Sequence, residues 1–275
     1  MSNPSTAAIA AMPTRSILPS DRTLYDLQLL RALRGTRLSR ELKVLCVIGA
    51  HRFEELRLIN RVFPSLRQIY LFEPQSGPLA SLRLLAASDS RIKVFPVAVS
   101  DADGTASFNV ASNDGESSSL LRLGSHRQLF PEVAMQETIE VPTRRLDSVL
   151  VEHGLETPDV LIVDVQGAEY LVLKSLPPSV LDRVRLIYSE VSTEAVYESA
   201  GLLADVEGVL SPRFRNVGFA AIRPNVPMHG NAVFVANADV DAVLALSPGE
   251  RLRRAFDRLK RTRRARSVRT RDLAG

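Results

Sequence analysis

The stretch PDVLIVDVQGAEYLVLKSL, residues 158–176, most constrains what this chain can fold into. Val160 to Val163 form a short apolar run bounded by turn residues, the pattern of a strand buried on both faces of a parallel sheet. The run ends in Asp164. A tight turn with Gly167 follows, and Glu169 opens an amphipathic helix. In an open α/β sheet the carboxyl ends of strands border the ligand crevice. Asp164 and Glu169 therefore stand where such folds do their chemistry. A capping role for Asp164 is equally consistent with this stretch alone, because Asp favours helix N-termini.

Two earlier segments extend the pattern. KVLCVIGA (43–50) is an apolar strand running into Gly49, and RQIYLFEP (67–74) is a strand ending in Glu73. A strand, a glycine turn, a helix, and a second strand ending in an acid about 20 residues on is the layout of a nucleotide-binding βαβ unit. In that layout the Glu73 carboxylate accepts hydrogen bonds from ribose hydroxyls, and Gly49 lets backbone approach a ligand closely. Glu73 as a merely solvated strand-end acid is the competing reading. The turn carries one glycine where such loops carry two or three; Arg52 and Phe53 fill the rest.

Strand and helix patterns alternate along most of the chain. Strands are predicted at 43–48, 67–72, 91–97, 159–164 and 184–190, and helices at 20–35, 53–63, 76–87, 146–153, 168–175 and 199–210. This alternation argues for an α/β, doubly wound, mostly parallel sheet. Residues 105–110 read as an edge strand and 138–142 as another short strand. Residues 213–222 and 231–236 read as a closing antiparallel hairpin. Residues 111–136 form an aperiodic stretch too long for an ordinary connector, and such stretches are often lids.

Six short motifs occur in order: GAH (49–51), FEP (72–74), AVSDADG (98–104), SSSL (117–120), VPTRRLDS (141–148) and DVQGAE (164–169). Over roughly residues 42–237 the chain resembles the FkbM-type methyltransferase family, which uses S-adenosylmethionine. Three positions depart from the family pattern: Val47 replaces an acid, His51 an asparagine, and Phe53 a second glycine.

The resemblance implies a seven-stranded Rossmann-like sheet of order 3-2-1-4-5-7-6 with the last strand antiparallel. The first and fourth strands then flank the switch point, bringing Gly49 and Asp164 together. It also implies cofactor contacts at Gly49, Ala50, His51, Glu73, Ser100 and Ser119, with Ser100 near the adenine. Gln166 and Glu169 face the acceptor. Asp164 and Glu190, which ends the strand LIYSE, are the catalytic candidates for taking a proton from a hydroxyl; His51 is an alternative base. The competing roles are a turn for 101–104, solvated loop serines for 117–119 and a salt bridge for Glu190.

The implied activity is O-methylation of a sugar, polyketide or lipid-linked glycan. Two alternatives remain: a methyltransferase-like binding module without catalysis, motivated by the altered GAHRF turn, and another nucleotide-using enzyme such as a dehydrogenase. The absence of a full G-x-G-x-x-G counts against the last.

Composition bounds the rest. A chain of 275 residues readily buries one sizeable core. Residues 20–247 are assigned to one domain, 1–19 to a disordered N-terminus and 248–275 to a basic tail. Cys46, the single cysteine, lies in a buried strand, so a disulfide framework is excluded. No segment reads as a membrane span or secretory signal, and a cytoplasmic location is the expectation. His126, His153 and His229 show no metal-ligand spacing, and no metal is expected. The net charge of +4 arises from residue 249 onward, where eleven bases face three acids. The body is mildly acidic, without a nucleic-acid footprint. The tail reads as a solvated extension, a contact with an anionic membrane surface, or a nonspecific nucleic-acid contact.

Overall fold

A computed structural model describes residues 28–244. The N-terminal segment expected to be disordered, the first turns of the helix predicted at 20–35 and the basic tail lie outside the described residues. The chain begins with α1 (Gln28–Leu33), α2 (Arg37–Glu41), β1 (Val44–Ile48), α3 (Leu56–Val62), β2 (Gln68–Phe72), α4 (Ser76–Ser88) and β3 (Ile92–Phe95). Then come β4 (Ala98–Val99), β5 (Gly104–Ala111), α5 (His126–Leu129) and β6 (Met135–Arg144). Alternation resumes with α6 (Leu146–Glu152), β7 (Val160–Val163), α7 (Glu169–Ser175), α8 (Pro178–Leu181) and β8 (Leu186–Ser192). Last are α9 (Leu203–Leu210), β9 (Phe214–Arg223), β10 (Val226–Ala236) and α10 (Val240–Leu244).

Seven strands form one sheet in the order β3-β2-β1-β7-β8-β10-β9, with β10 antiparallel to both neighbours. This is the order expected from the resemblance. All five residues of β1 are buried, as a central strand covered on both faces requires. Alternate residues feed two cores. Leu45, Val47, Ile69, Leu71, Val160 and Tyr188 pack under α1 to α4. Cys46, Ile48, Phe72, Leu161, Val163 and Ile187 pack against α6, α7 and α9. Each fully buried aliphatic side chain contributes about 1.5–3 kcal/mol. Burial pushes the Cys46 thiol up, so it stays protonated as a core side chain.

The chain leaves the large sheet earlier than predicted. Instead of one strand over 91–97, β3 stops at Phe95. Pro96 has no N–H to donate, and Val97 N turns back onto the Phe95 carbonyl at 2.9 Å. The next segments build a separate three-stranded sheet, β4-β6-β5. The strand at 105–110 is therefore an edge of this second sheet, and the strand at 138–142 is the middle of a ten-residue one. Residues 111–136 are anchored rather than an unattached lid. Ala111, Phe130 and Val133 pack with Val226, and Leu123 packs with Val196 and Tyr197. Helix α3 starts at Leu56 rather than 53, because His51 (φ 43) and Phe53 (φ 50) hold left-handed backbone. Helix α9 starts at Leu203, where the Asp205 carboxylate accepts from Leu202 N at 2.8 Å. Among the described residues no helix is long and apolar enough to cross a membrane.

Candidate active site

Strand register places the site. Val47, Ile162, Tyr188 and Val233 are consecutive cross-strand partners on β1, β7, β8 and β10, and Leu71 of β2 pairs with Val47. Side chains two residues further along a strand point to the same face. That step turns an apolar row into a polar one: Glu73, Gly49, Asp164, Glu190 and Asn231. All five line a cavity of about 710 Å³ at the carboxyl ends of the strands. The cavity straddles the junction of β1 with β7, where the strand order reverses. Its size suits a nucleoside-sized ligand together with part of an acceptor.

At one end stands Glu73, 3% exposed. One carboxylate oxygen accepts from His51 N at 2.9 Å and the other from Gln75 N at 2.8 Å. Burial raises its pKa, and these two amides oppose the rise. A carboxylate offers about four acceptor sites, so the group retains capacity for ligand hydroxyls. Gln75 Nε2 also donates to Glu73 and to Gly115 O, while Gln75 Oε1 accepts from Ser118 Oγ at 3.0 Å. The neighbouring wall is apolar: Val97, Ala98, Val99, Phe108 and Leu120. His51 lines the cavity, its Nε2 3.0 Å from Asp114 O.

Gly49 is required for a reason the sequence did not show. Its φ is +81°, and a Cβ there would sit 1.7 Å from the Asp164 carbonyl oxygen. The glycine lets the ends of β1 and β7 meet; it is not only a matter of room for ligand.

The other end is a network of acids. Gln166, itself left-handed at φ 56, donates from Nε2 to Asp164 Oδ1 at 2.7 Å and to Glu190 Oε2 at 3.0 Å. Its Oε1 accepts from the Tyr197 hydroxyl at 2.6 Å. Burial and the nearby charges of Glu190, Glu169 and Asp164 raise the Tyr197 pKa, which keeps it a donor. The ring of Tyr197 covers Gly167, whose Cβ would lie 2.6 Å from it. Oxygens of Asp164, Glu169 and Glu190 lie within 4.8 Å of one another. N–H groups meet them: Gln166 Nε2, and the amides of Val165 and Gly167, which both donate to Glu169 Oε1.

Glu169 closes its own turn, accepting from Val165 N and Gly167 N, and is not among the residues that line the cavity. Burial first, and the Glu190 charge second, push its carboxyl up to about 7. Between an unfolded value of 4.5 and about 7 the folded state holds the extra proton. This group's contribution is therefore full below pH 4.5 and lost as pH rises through 7. Denaturant unfolding should show Glu169→Gln more stable than the parent by about 1–3 kcal/mol at pH 8 and little different at pH 4.5. A stabilisation that does not change with pH would refute this.

Of the other expected residues, Ala50, Gln166 and Glu190 line the cavity, and Ser100 and Ser119 do not. Ser100 Oγ donates to Asp101, and its N to Arg144 O, behind β4. Ser119 is fully buried; its hydroxyl donates to Val165 O and accepts from Leu121 N. The cavity instead takes Ser117 and Ser118. Sequence reasoning missed Gln75, Tyr188, His126, His229 and Asn231, which also line it. His229 and Asn231 arrive through the antiparallel β8–β10 register, opposite Ser192 and Glu190. An i, i+2 polar pair in an otherwise apolar strand was the available signal.

Residues 48–221 match the family described as Methyltransferase FkbM domain. The 2-O-methyltransferase NoeI of Sinorhizobium fredii is 32% identical over 161 residues, 56% of this chain and 65% of NoeI. The AMB antimetabolite synthetase AmbE of Pseudomonas aeruginosa is 36% identical over 121 residues, 43% of this chain and 6% of AmbE. The matched regions thus cover less than two thirds of either relative. The crystal structure of a methyltransferase FkbM from Methylobacillus flagellatus superposes with a TM-score of 0.49 at 15% identity, over 71% of this chain and 44% of that one. With its family domain spanning 174 residues from Ile48 to Ala221, the chain belongs to the FkbM family of S-adenosylmethionine-dependent methyltransferases.

Proposed function

We propose that this chain methylates a hydroxyl of a sugar, polyketide or lipid-linked glycan. The observation that carries the proposal is the polar row Glu73, Gly49, Asp164, Glu190 and Asn231 along one cavity. That the relative NoeI is a 2-O-methyltransferase supports an oxygen acceptor. The residues fit the cofactor. Glu73 is a buried acceptor suited to vicinal hydroxyls, and Val97 to Val99 with Phe108 offer an apolar slot. Asp164 and Glu190 place negative charge where a sulfonium would lie. S-adenosylmethionine supplies an electrophilic methyl group when bound.

The chain's own task is alignment and proton removal. Holding two reactants in line lowers barriers by about 7–11 kcal/mol. Asp164 and Glu190 stand at the acceptor side, where a carboxylate accepts the hydroxyl proton. His126, Phe130, Val133 and Ile222 wall that side. Burial, then the nearby His229, lowers the His126 pKa to about 4, so this imidazole is neutral near pH 7. The charges on the same wall, Arg223 and Glu132, pair with each other at 3.6 Å. A wall without net charge suits an uncharged hydroxylic acceptor.

Calorimetry with S-adenosylhomocysteine tests the first half of the proposal. Glu73→Ala should weaken binding by about 1–3 kcal/mol through loss of charged hydrogen bonds. Undetectable binding to the parent protein at millimolar ligand would favour a binding module without catalysis. Radiolabelled methyl transfer to a panel of sugars and glycans tests the second half.

A further inference from the structure

We infer that His229 is a positioning residue for Glu190, and that this pair holds the proton lost by the acceptor hydroxyl. The inference rests on the methyltransferase reading of the cavity. Glu190 and His229 are 4% and 3% exposed, and both line the cavity. His229 Nε2 lies 3.3 Å from Glu190 Oε1, and its Nδ1 lies 2.8 Å from Ser192 Oγ. The register explains the juxtaposition: His229 opposes Ser192, and Asn231 opposes Glu190, in adjacent pairs on one face. The Phe130 ring meets the imidazole edge-on at 6.3 Å. The other Glu190 oxygen accepts from Gln166. The carboxylate is thus clamped between two N–H groups, the Gln166 amide and the His229 imidazole.

The remaining titratable groups that face Glu190 are acids and one neutral imidazole. Asp164 and Glu169 approach from the β7–α7 turn, Tyr197 from the loop after β8, and His126 from α5. Among these groups His229 alone brings a ring nitrogen within 4 Å of Glu190. In the tautomer that carries hydrogen on Nε2, the ring donates to Glu190 Oε1 and its Nδ1 accepts from the Ser192 hydroxyl. The acceptor oxygen then forms its bond to the methyl carbon as the carbon–sulfur pair returns to sulfur. Its proton passes to Glu190, which His229 holds in place. The positive charge lost from sulfonium is matched by the negative charge lost from the Glu190 carboxylate.

The test uses the full chain. Nitrogen-15 spectra of the imidazole should show the Nε2-protonated tautomer, and Glu190→Gln should move the His229 ring signals. His229→Phe keeps ring volume and should lower kcat about 10²-fold with S-adenosylhomocysteine affinity unchanged. His229→Gln should recover part of that loss. In a Glu190→Gln background neither substitution should reduce kcat further. Thermal melting checks that each variant folds. An Nδ1-protonated ring indifferent to Glu190→Gln, or losses that multiply in the double variants, would overturn the inference. If the parent protein binds no S-adenosylhomocysteine and methylates nothing, the methyltransferase proposal falls. The nitrogen spectra then still decide the pairing.

Discussion

Gly49→Ala should unfold at markedly lower denaturant and bind no detectable S-adenosylhomocysteine. The left-handed backbone at φ +81° costs a residue with a Cβ about 1–2 kcal/mol. The new methyl would overlap the Asp164 carbonyl oxygen at 1.7 Å and its carbon at 2.8 Å, and overpacking adds about 1–3 kcal/mol. Neither backbone segment yields easily. Asp164 N is tied to Ile48 O at 3.0 Å, and the amides of Gly49 and Ala50 both donate to Phe72 O. The expected loss is about 2–5 kcal/mol, with Asp164 displaced from the cavity. Gly208 is the control: it lies in α9 with open space around its Cβ position. Gly208→Ala should gain about 0.5–1 kcal/mol. Equal stability of the two variants would show that β1 and β7 are not locked at this contact.

The second large effect is on the chemistry. Asp164→Asn combined with Glu190→Gln should fold normally and lose about 10²–10⁴-fold in methyl transfer. The amides keep an oxygen for Gln166 Nε2 to approach but accept no proton near neutral pH. Affinity for neutral S-adenosylhomocysteine should change little, while affinity for the cationic methyl donor should fall, since two negative charges disappear. Comparing the two ligands by calorimetry separates electrostatics from shape. Near-wild-type turnover by the double variant would leave both acids with structural roles only.

What was legible in the sequence follows from what each signal depends on. The parallel strands at 43–48, 67–72 and 159–164 were clear because burial on both faces leaves an unbroken apolar run. Glu73 and Asp164 were found because an acid at the end of such a run is rare and sits at a defined edge. The meeting of Gly49 and Asp164 at the junction of β1 and β7 came from the resemblance. The second sheet was not legible, because the Pro96 break reads as ordinary loop chemistry. Glu169 and Ser119 lie off the cavity lining for a shared reason: residue type announces hydrogen bonding but not direction. Both turn onto the β7–α7 backbone rather than into the cavity. His229 and Asn231 were missed because antiparallel register is a long-range fact, here spanning about forty residues from Glu190.

The cavity draws its walls from residues as distant as Leu30 and Asn231, so no contiguous fragment contains it. Its assembly must therefore come late in folding, after loop closures that span most of the described chain. A ligand held there binds the complete fold and nothing less. At a free concentration one hundred times its dissociation constant it should raise global stability by about 2.7 kcal/mol. Hydrogen exchange should then slow in β2 and in β10 alike, although these strands meet only through the strands between them.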